Sequence, residues 1–235
     1  MPGCRDEINC VVLARNKVRT FNELGSHSRW GAPIRMSFVY SLLEQSLVYS
    51  LWQAPFAAEK LAPVLEHNDL RDVRRVLDVG CGPGTNTGYF SKQDYLGIDI
   101  NSSYIETARK KHNRVFVAAD LTNYADESAG KFDFILLNSF LHHLNDDDSH
   151  RVLSRLPVWL QAGGHLHFVE LAMPVDRSVA QLLATWDRGK YVRPMESWRN
   201  LFQQHMDIVL FEPYRIKLAG ATLWNMVYCK GRASS

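Results

Sequence analysis

Cysteine is scarce in this chain and scattered. Cys4, Cys10, Cys81 and Cys229 show neither the paired spacing of metal ligands nor a disulfide framework, so a reducing, cytoplasmic setting and no metal are expected. The chain also lacks an apolar stretch of eighteen residues and a leader with a basic end and an apolar centre. Neither a membrane span nor secretion is therefore indicated. Charge of one sign is missing as well: 27 Lys and Arg stand against 25 Asp and Glu, a formal net charge of +2. With no long basic tract and no basic patch interleaved with aromatics, nucleic acid is not expected as a partner. There is no internal repeat and no low-complexity block. What remains is an ordinary globular composition, and 235 residues are enough to bury a full core in one domain.

The most informative stretch is Val76 to Thr87, VLDVGCGPGTNT. An apolar run of strand type reaches Asp78 and passes directly into Gly80, Gly82 and Gly84 at alternate positions. Glycine suits a turn where the backbone bends sharply and comes close to a ligand, although a tight turn alone also accounts for it. Two further runs carry the argument. Tyr95 to Ile100 ends near Asp99, about twenty residues past the loop, where a carboxylate can accept the two hydroxyls of a ribose. Val115 to Ala119 leads to Asp120. Three successive apolar runs thus each deliver an acid to the carboxyl end, the edge where open α/β sheets bind ligands.

Nicotinamide dinucleotides and S-adenosylmethionine both use such a layout. The dinucleotide fingerprint G-x-G-x-x-G/A would place its third small residue at Thr85, whereas the glycine falls at Gly84. An acid at Asp78 also suits a ligand with a sulfonium and an ammonium group better than one with a pyrophosphate. On these residues the chain resembles the class I S-adenosylmethionine-dependent methyltransferases over about Lys60 to Lys230. Their D/E-x-G-x-G-x-G loop stands as Asp78, Gly80, Gly82 and Gly84, with Cys81 inside it. The resemblance matches their ribose acid to Asp99, with Ile100 beside it, and their adenine-side acid to Asp120, followed by Leu121. Their fourth-strand segment corresponds to Phe132 to Leu144, which includes Asn138. The implied donor is S-adenosylmethionine, leaving as S-adenosylhomocysteine.

Along the chain, residues 1–35 read as an arm with poor periodicity and a Gly- and Ser-rich end. Residues 36–66 read as two helices broken near Pro55, and residues 67–235 as the methyltransferase domain. In the resembled family, helices ahead of the first strand form a lid, which places Trp52 and Phe56 as acceptor contacts; a core role fits them too. Strands are expected near Arg75–Val79, Tyr95–Ile100, Val115–Ala119, Phe134–Asn138, His165–Leu171, Val209–Tyr214 and Leu223–Cys229. Helices are expected over Asn86–Phe90, Ser103–Lys111, Asp147–Trp159, Val179–Trp186 and Glu196–His205. The short link Lys217 to Thr222 leaves no room for a crossover, so the last two strands form an antiparallel hairpin. The fold class is α/β: a Rossmann-like, doubly wound, seven-stranded, mostly parallel sheet with the last strand antiparallel and helices on both faces.

Methyl transfer from a sulfonium is an in-line displacement, so alignment of the acceptor and exclusion of water dominate, and a base matters only when the acceptor must lose a proton. The segment Asn138 to Leu144 lies beside the methyl group in this reading. His143, aligned with a histidine frequent in small-molecule methyltransferases, is the candidate base; His142 and Glu170 are the others, and structural roles fit all three. The Asn/Asp-Pro-Pro-aromatic tetrapeptide of nucleic-acid amino-methyltransferases is replaced by Asn138-Ser139-Phe140-Leu141, which argues against bases as acceptors; oxygen, nitrogen or carbon of a small molecule or, less favoured, a protein side chain remain, and oxygen or nitrogen of a small molecule is the expectation. Between strands five and six, Arg188, Lys190, Tyr191 and Arg193 cluster. Guanidiniums there can grip an acceptor anion, or simply terminate a helix. The rival readings are a nicotinamide-dependent oxidoreductase, disfavoured by the Gly84 spacing and the missing Tyr-x-x-x-Lys pair, and a non-catalytic S-adenosylmethionine-binding protein.

Overall fold

The computed structural model describes residues 54–122, 124, 131–174, 180–181, 183 and 190–234, all within one compact unit, Val48–Ser235. The expected arm, the first expected helix with Trp52, Arg188, and most of the expected helix Val179–Trp186 lie outside the described residues. A 3-10 turn at Ala54–Phe56 leads into α1, Ala57–Glu66. Strand β1, Arg75–Val79, then opens an alternation: β2 Asp94–Asp99, α2 Ser102–Lys111, β3 Val115–Ala118, β4 Phe132–Asn138, α3 Asp146–Trp159, β5 Leu160–Met173. A two-residue strand β6, Arg193–Pro194, precedes α4, Met195–Gln203, and the long hairpin of β7, Asp207–Leu218, and β8, Ala221–Arg232.

The sheet runs β3-β2-β1-β4-β5-β8-β7. Every neighbouring pair from β3 to β5 is parallel, while β8 runs antiparallel to both β5 and β7, the reversed last strand expected from the short link. The link itself is Ala219-Gly220, both at positive φ (48° and 85°), the backbone of a two-residue hairpin turn whose twist matches its strands. Strand β6 adds to the expected seven by pairing in parallel with the end of β5. It escaped detection because two residues carry no period. The segment expected to be a helix over Asn86–Phe90 is instead a single 3-10 turn, Thr87–Phe90.

The central strands are buried on both faces, as parallel strands covered by helices must be, and alternate residues feed two cores. Leu77, Val79, Ile135, Leu137 and Phe168 pack with Val152, Leu153 and Leu156 of α3 and Trp198 and Phe202 of α4. Val76, Phe134, Leu136 and Val169 pack on the other side with Leu61 and Val64 of α1 and Ile105 and Ala108 of α2. Local signals set the helix starts. Asn101 accepts from the amides of Ser103 and Tyr104, and Asn145 accepts from that of Asp148 ahead of three acids in the first turn of α3. The chain winds from β1 to β3 in one direction and from β4 to β5 in the other. The switch between β1 and β4 opens the crevice at their carboxyl ends where such sheets bind ligands. No helix among the described residues is long and apolar enough to cross a membrane.

Candidate active site

The loop after β1 is anchored from below. The amides of Gly80 and Cys81 both donate to Ile98 O, at 2.8 and 3.1 Å, tying the turn to the end of β2. Gly80 sits at φ 71°, and a Cβ there would lie 2.3 Å from Phe140 Cδ2, so what presses on this glycine is the protein's own ring. Gly82 differs. It also has positive φ, 54°, yet nothing lies within 4 Å of where its Cβ would be. Its amide donates to Asp99 Oδ2 at 2.9 Å, and Asn101 N donates to Asp99 Oδ1 at 2.8 Å, so each oxygen of this carboxylate is oriented by one backbone amide. Burial raises the Asp99 carboxyl above its ordinary value, and the two amides oppose the rise.

Asp78 is fully buried beneath the loop. Tyr95 donates its hydroxyl to Oδ2 at 2.6 Å, Asn86 Nδ2 reaches both oxygens at 3.1 and 3.3 Å, and Asn138 Nδ2 in turn donates to Asn86 Oδ1 at 3.1 Å. Burial pushes the Asp78 carboxyl up to about 6, although the hydrogen bonds from Tyr95 and Asn86 favour its ionised form. An acid held in this state is poised to be relieved by a nearby cation. Tyr95 and Asn86 were not singled out in the sequence, where a tyrosine in an apolar strand and an asparagine after a glycine loop look unexceptional. The thiol of Cys81 turns into the core beside Gly97, and burial pushes its pKa well up, so this residue faces the loop's ligand side with backbone alone.

A second construction follows β4. Ser139 takes φ 56°, unusual for a residue with a side chain, and turns the chain into a 3-10 turn at Leu141–His143. A turn this short has orphan amides at one end and orphan carbonyls at the other. Glu170 of β5 supplies the first cap: its fully buried carboxylate accepts from Phe140 N at 3.0 Å, Leu141 N at 2.7 Å and His142 Nδ1 at 2.7 Å. Arg193 of β6 supplies the second. Its guanidinium donates to Leu141 O, Leu144 O and Tyr191 O, to Ser149 Oγ and, at 2.7 Å, to Asp146 Oδ1, and it lies 4.8 Å over the Trp198 ring. Anion at the amino end and cation at the carboxyl end follow the turn's own dipole.

Comparison with known proteins agrees with this geometry. A family model described as a methyltransferase domain matches residues 76–164, the span from the start of the glycine loop's strand into β5. The glycine loop, both acid-bearing strands that follow it and the turn after β4 all lie inside that match. An uncharacterized protein of Synechococcus is 31% identical over 146 residues, 55% of this chain and 34% of that protein. A ubiquinone biosynthesis O-methyltransferase of Vibrio parahaemolyticus is 25% identical over 162 residues, 61% of this chain and 68% of the relative. The crystal structure of the N-methyltransferase NodS from Bradyrhizobium japonicum shares the fold, with TM-score 0.60 at 19% identity over 77% of this chain and 98% of that one.

In this chain the acids of the first two strands converge at one edge: Asp78 lies under the glycine loop, and Asp99 is hydrogen-bonded to it. Asp120 lies one strand further on. It accepts from the amide and hydroxyl of Thr122, and Leu121 beside it is buried. Ile100, directly after Asp99, is 69% exposed, the most exposed large apolar side chain among the described residues. His142 is buried against Glu170, whereas its neighbour His143 is exposed on the turn, the two rings 4.3 Å apart. The acceptor expectations fare differently. Phe56 is buried, its ring edge-on to Trp224 at 5.1 Å, in the core position. Arg193 was expected to grip an acceptor anion; its donors are instead committed to the turn after β4, because the fold brings five acceptors around it. Tyr191 is 41% exposed and its amide donates to His142 O. Among the described residues no group of three or more His, Cys, Asp or Glu is placed to hold a metal ion.

Proposed function

We propose that the chain transfers a methyl group from S-adenosylmethionine to an oxygen or nitrogen of a small molecule, releasing S-adenosylhomocysteine. The observation that carries this reading is the Gly82 to Asp99 pairing: an open space beside a glycine, next to a carboxylate whose two oxygens are each aimed by one amide. The donor supplies an activated methyl on a sulfonium. Asp99 takes the ribose hydroxyls, while Asp120 and Leu121 flank the adenine, whose apolar face would cover the otherwise exposed Ile100. Asp78, through Asn86 and Asn138, forms the negative end facing the ammonium group. The O- and N-methyltransferases among its relatives and fold neighbours support a small-molecule acceptor. Thermal-shift and calorimetric titration with S-adenosylmethionine, S-adenosylhomocysteine and NAD test the reading; preference for NAD would overturn it.

The Asp78 carboxyl adds a pH signature. A cationic ligand complements the ionised acid, so S-adenosylhomocysteine affinity should hold from pH 8 to 7 and fall as pH drops through about 6, by up to roughly tenfold per unit. Binding near pH 6 should also release a proton. A flat affinity profile between pH 5 and 8 would remove Asp78 from the ammonium side.

His143 is the proposed base, because it is exposed on the turn after β4 while His142 and Glu170 engage one another. Glu170, His142 and Arg193 are positioning residues in this reading, holding the turn in shape. His143→Ala should leave S-adenosylhomocysteine binding within about twofold and lower turnover about 10²- to 10⁴-fold for an acceptor that must lose a proton, with partial recovery at higher pH. Equal loss of binding and turnover would assign His143 a structural role.

A further inference from the structure

At the carboxyl end of β5 the sheet carries a cavity of about 550 Å³. It begins at Ala172 and Met173, two and three residues past Glu170, and so lies within about 10 Å of the capped turn at 3.3 Å per residue of strand. Met173, Met195, Pro213 and Tyr214 give it apolar surface, and Arg215 and Lys217, on the same strand β7 as Pro213 and Tyr214, also line it. The strand register sets Ala172, Asn225 and Arg215 in one row across β5, β8 and β7.

Neither the Arg215 nor the Lys217 side chain makes a hydrogen bond or an ion pair among the described residues. Five other arginines pair with acids: Arg71 with Asp69, Arg75 with Asp94, Arg151 with Asp148, Arg193 with Asp146, Arg232 with Asp207. The acid nearest on the same strand, Glu212, is taken by His67 at 2.6 Å. Two exposed cations facing water are ordinary. Two unpaired cations edging an apolar-walled cavity at the ligand-binding end of the sheet are a recognition surface for a molecule with an apolar body and an anionic end.

We propose that this cavity is the acceptor subsite and that it selects amphipathic organic anions, the apolar body lying against Met173, Met195 and Tyr214 and a carboxylate or phosphate meeting Arg215 and Lys217. The proposal rests on the methyl-transfer reading and moves the acceptor's anionic contact from the segment around Arg193 to β7. It is tested by calorimetric titration of the full chain, with and without saturating S-adenosylhomocysteine. The probes are 3-phenylpropionate, indole-3-acetate, octanoate and phenyl phosphate, each carboxylate set against its neutral amide and phenyl phosphate against phenol.

At least one anion should bind roughly tenfold tighter than its neutral counterpart. That preference should shrink to within about twofold in the Arg215→Gln/Lys217→Gln variant, whose exposed substitutions leave the core intact, while S-adenosylhomocysteine affinity stays unchanged. A carboxylate preference without a phosphate one, or the reverse, identifies the anionic group. If no anion is preferred, or the preference survives in the double variant while S-adenosylhomocysteine still binds, the subsite assignment is wrong and the methyl-transfer reading stands. Anion preference in a chain that binds no S-adenosylhomocysteine would overturn the methyl-transfer reading and the acceptor role with it.

Discussion

Glu170→Ala should lower the unfolding free energy by about 3–5 kcal/mol, because it removes one carboxylate from three buried or half-buried donors at once. The amides of Phe140 and Leu141 cannot turn to water without unwinding the turn after β4, and the His142 ring loses the partner that fixes its orientation. Glu170→Gln keeps one acceptor oxygen and should cost about half as much. Since Arg193 caps the opposite end of the same turn, the Glu170→Gln/Arg193→Lys pair should be non-additive by about 0.5 kcal/mol or more. Urea unfolding of the parent chain, Glu170→Ala, Glu170→Gln, Arg193→Lys and the double variant measures all of this. A loss below about 1 kcal/mol for Glu170→Ala would mean that the turn holds itself and that the buried carboxylate serves another purpose.

The other large effect concerns Asp99. Its replacement by alanine deletes the acceptor of two ribose hydroxyls, charge-assisted hydrogen bonds worth roughly 1.5 to 3 kcal/mol each, so S-adenosylhomocysteine affinity should fall about tenfold to a few hundredfold. Asp99→Asn should do less harm, since its amide still offers one acceptor to Gly82 or Asn101. Calorimetric titration decides between ribose binding and a purely structural acid. An alanine variant with reduced stability but unchanged affinity would show that Asp99 serves only the Gly82 and Asn101 amides it accepts from.

The elements the sequence revealed and those it hid differ for a physical reason. Strands β1 and β4 and the second half of β5 are buried on both faces and so read as continuous apolar runs. The outer strands β7 and β8 run longer than their apolar residues suggest, since Glu212, Arg215 and Lys217 are tolerated where one face meets water. The short link between them was legible because too few residues remain for a crossover. Strand β6 was not, since its pairing with Ala172 and Met173 exists only once the chain returns to the sheet. The acids near the strand ends were legible because the fold delivers whatever follows an apolar run to one edge.

Local pattern and spacing along the chain were enough to read the seven longer strands, the glycine loop and the acids Asp78, Asp99 and Asp120. Only the tertiary structure decided which charged side chains serve the protein and which remain available to a ligand. Arg193 and Arg215 look alike in the sequence, as cations in polar surroundings after the fifth strand. Folding surrounds Arg193 with the carbonyls of a turn some fifty residues earlier in the chain and with Asp146, and leaves Arg215 at the edge of a cavity without a partner among the described residues. A hydrogen bond forms with whatever the fold brings within about 3 Å, and no spacing rule along the chain encodes that.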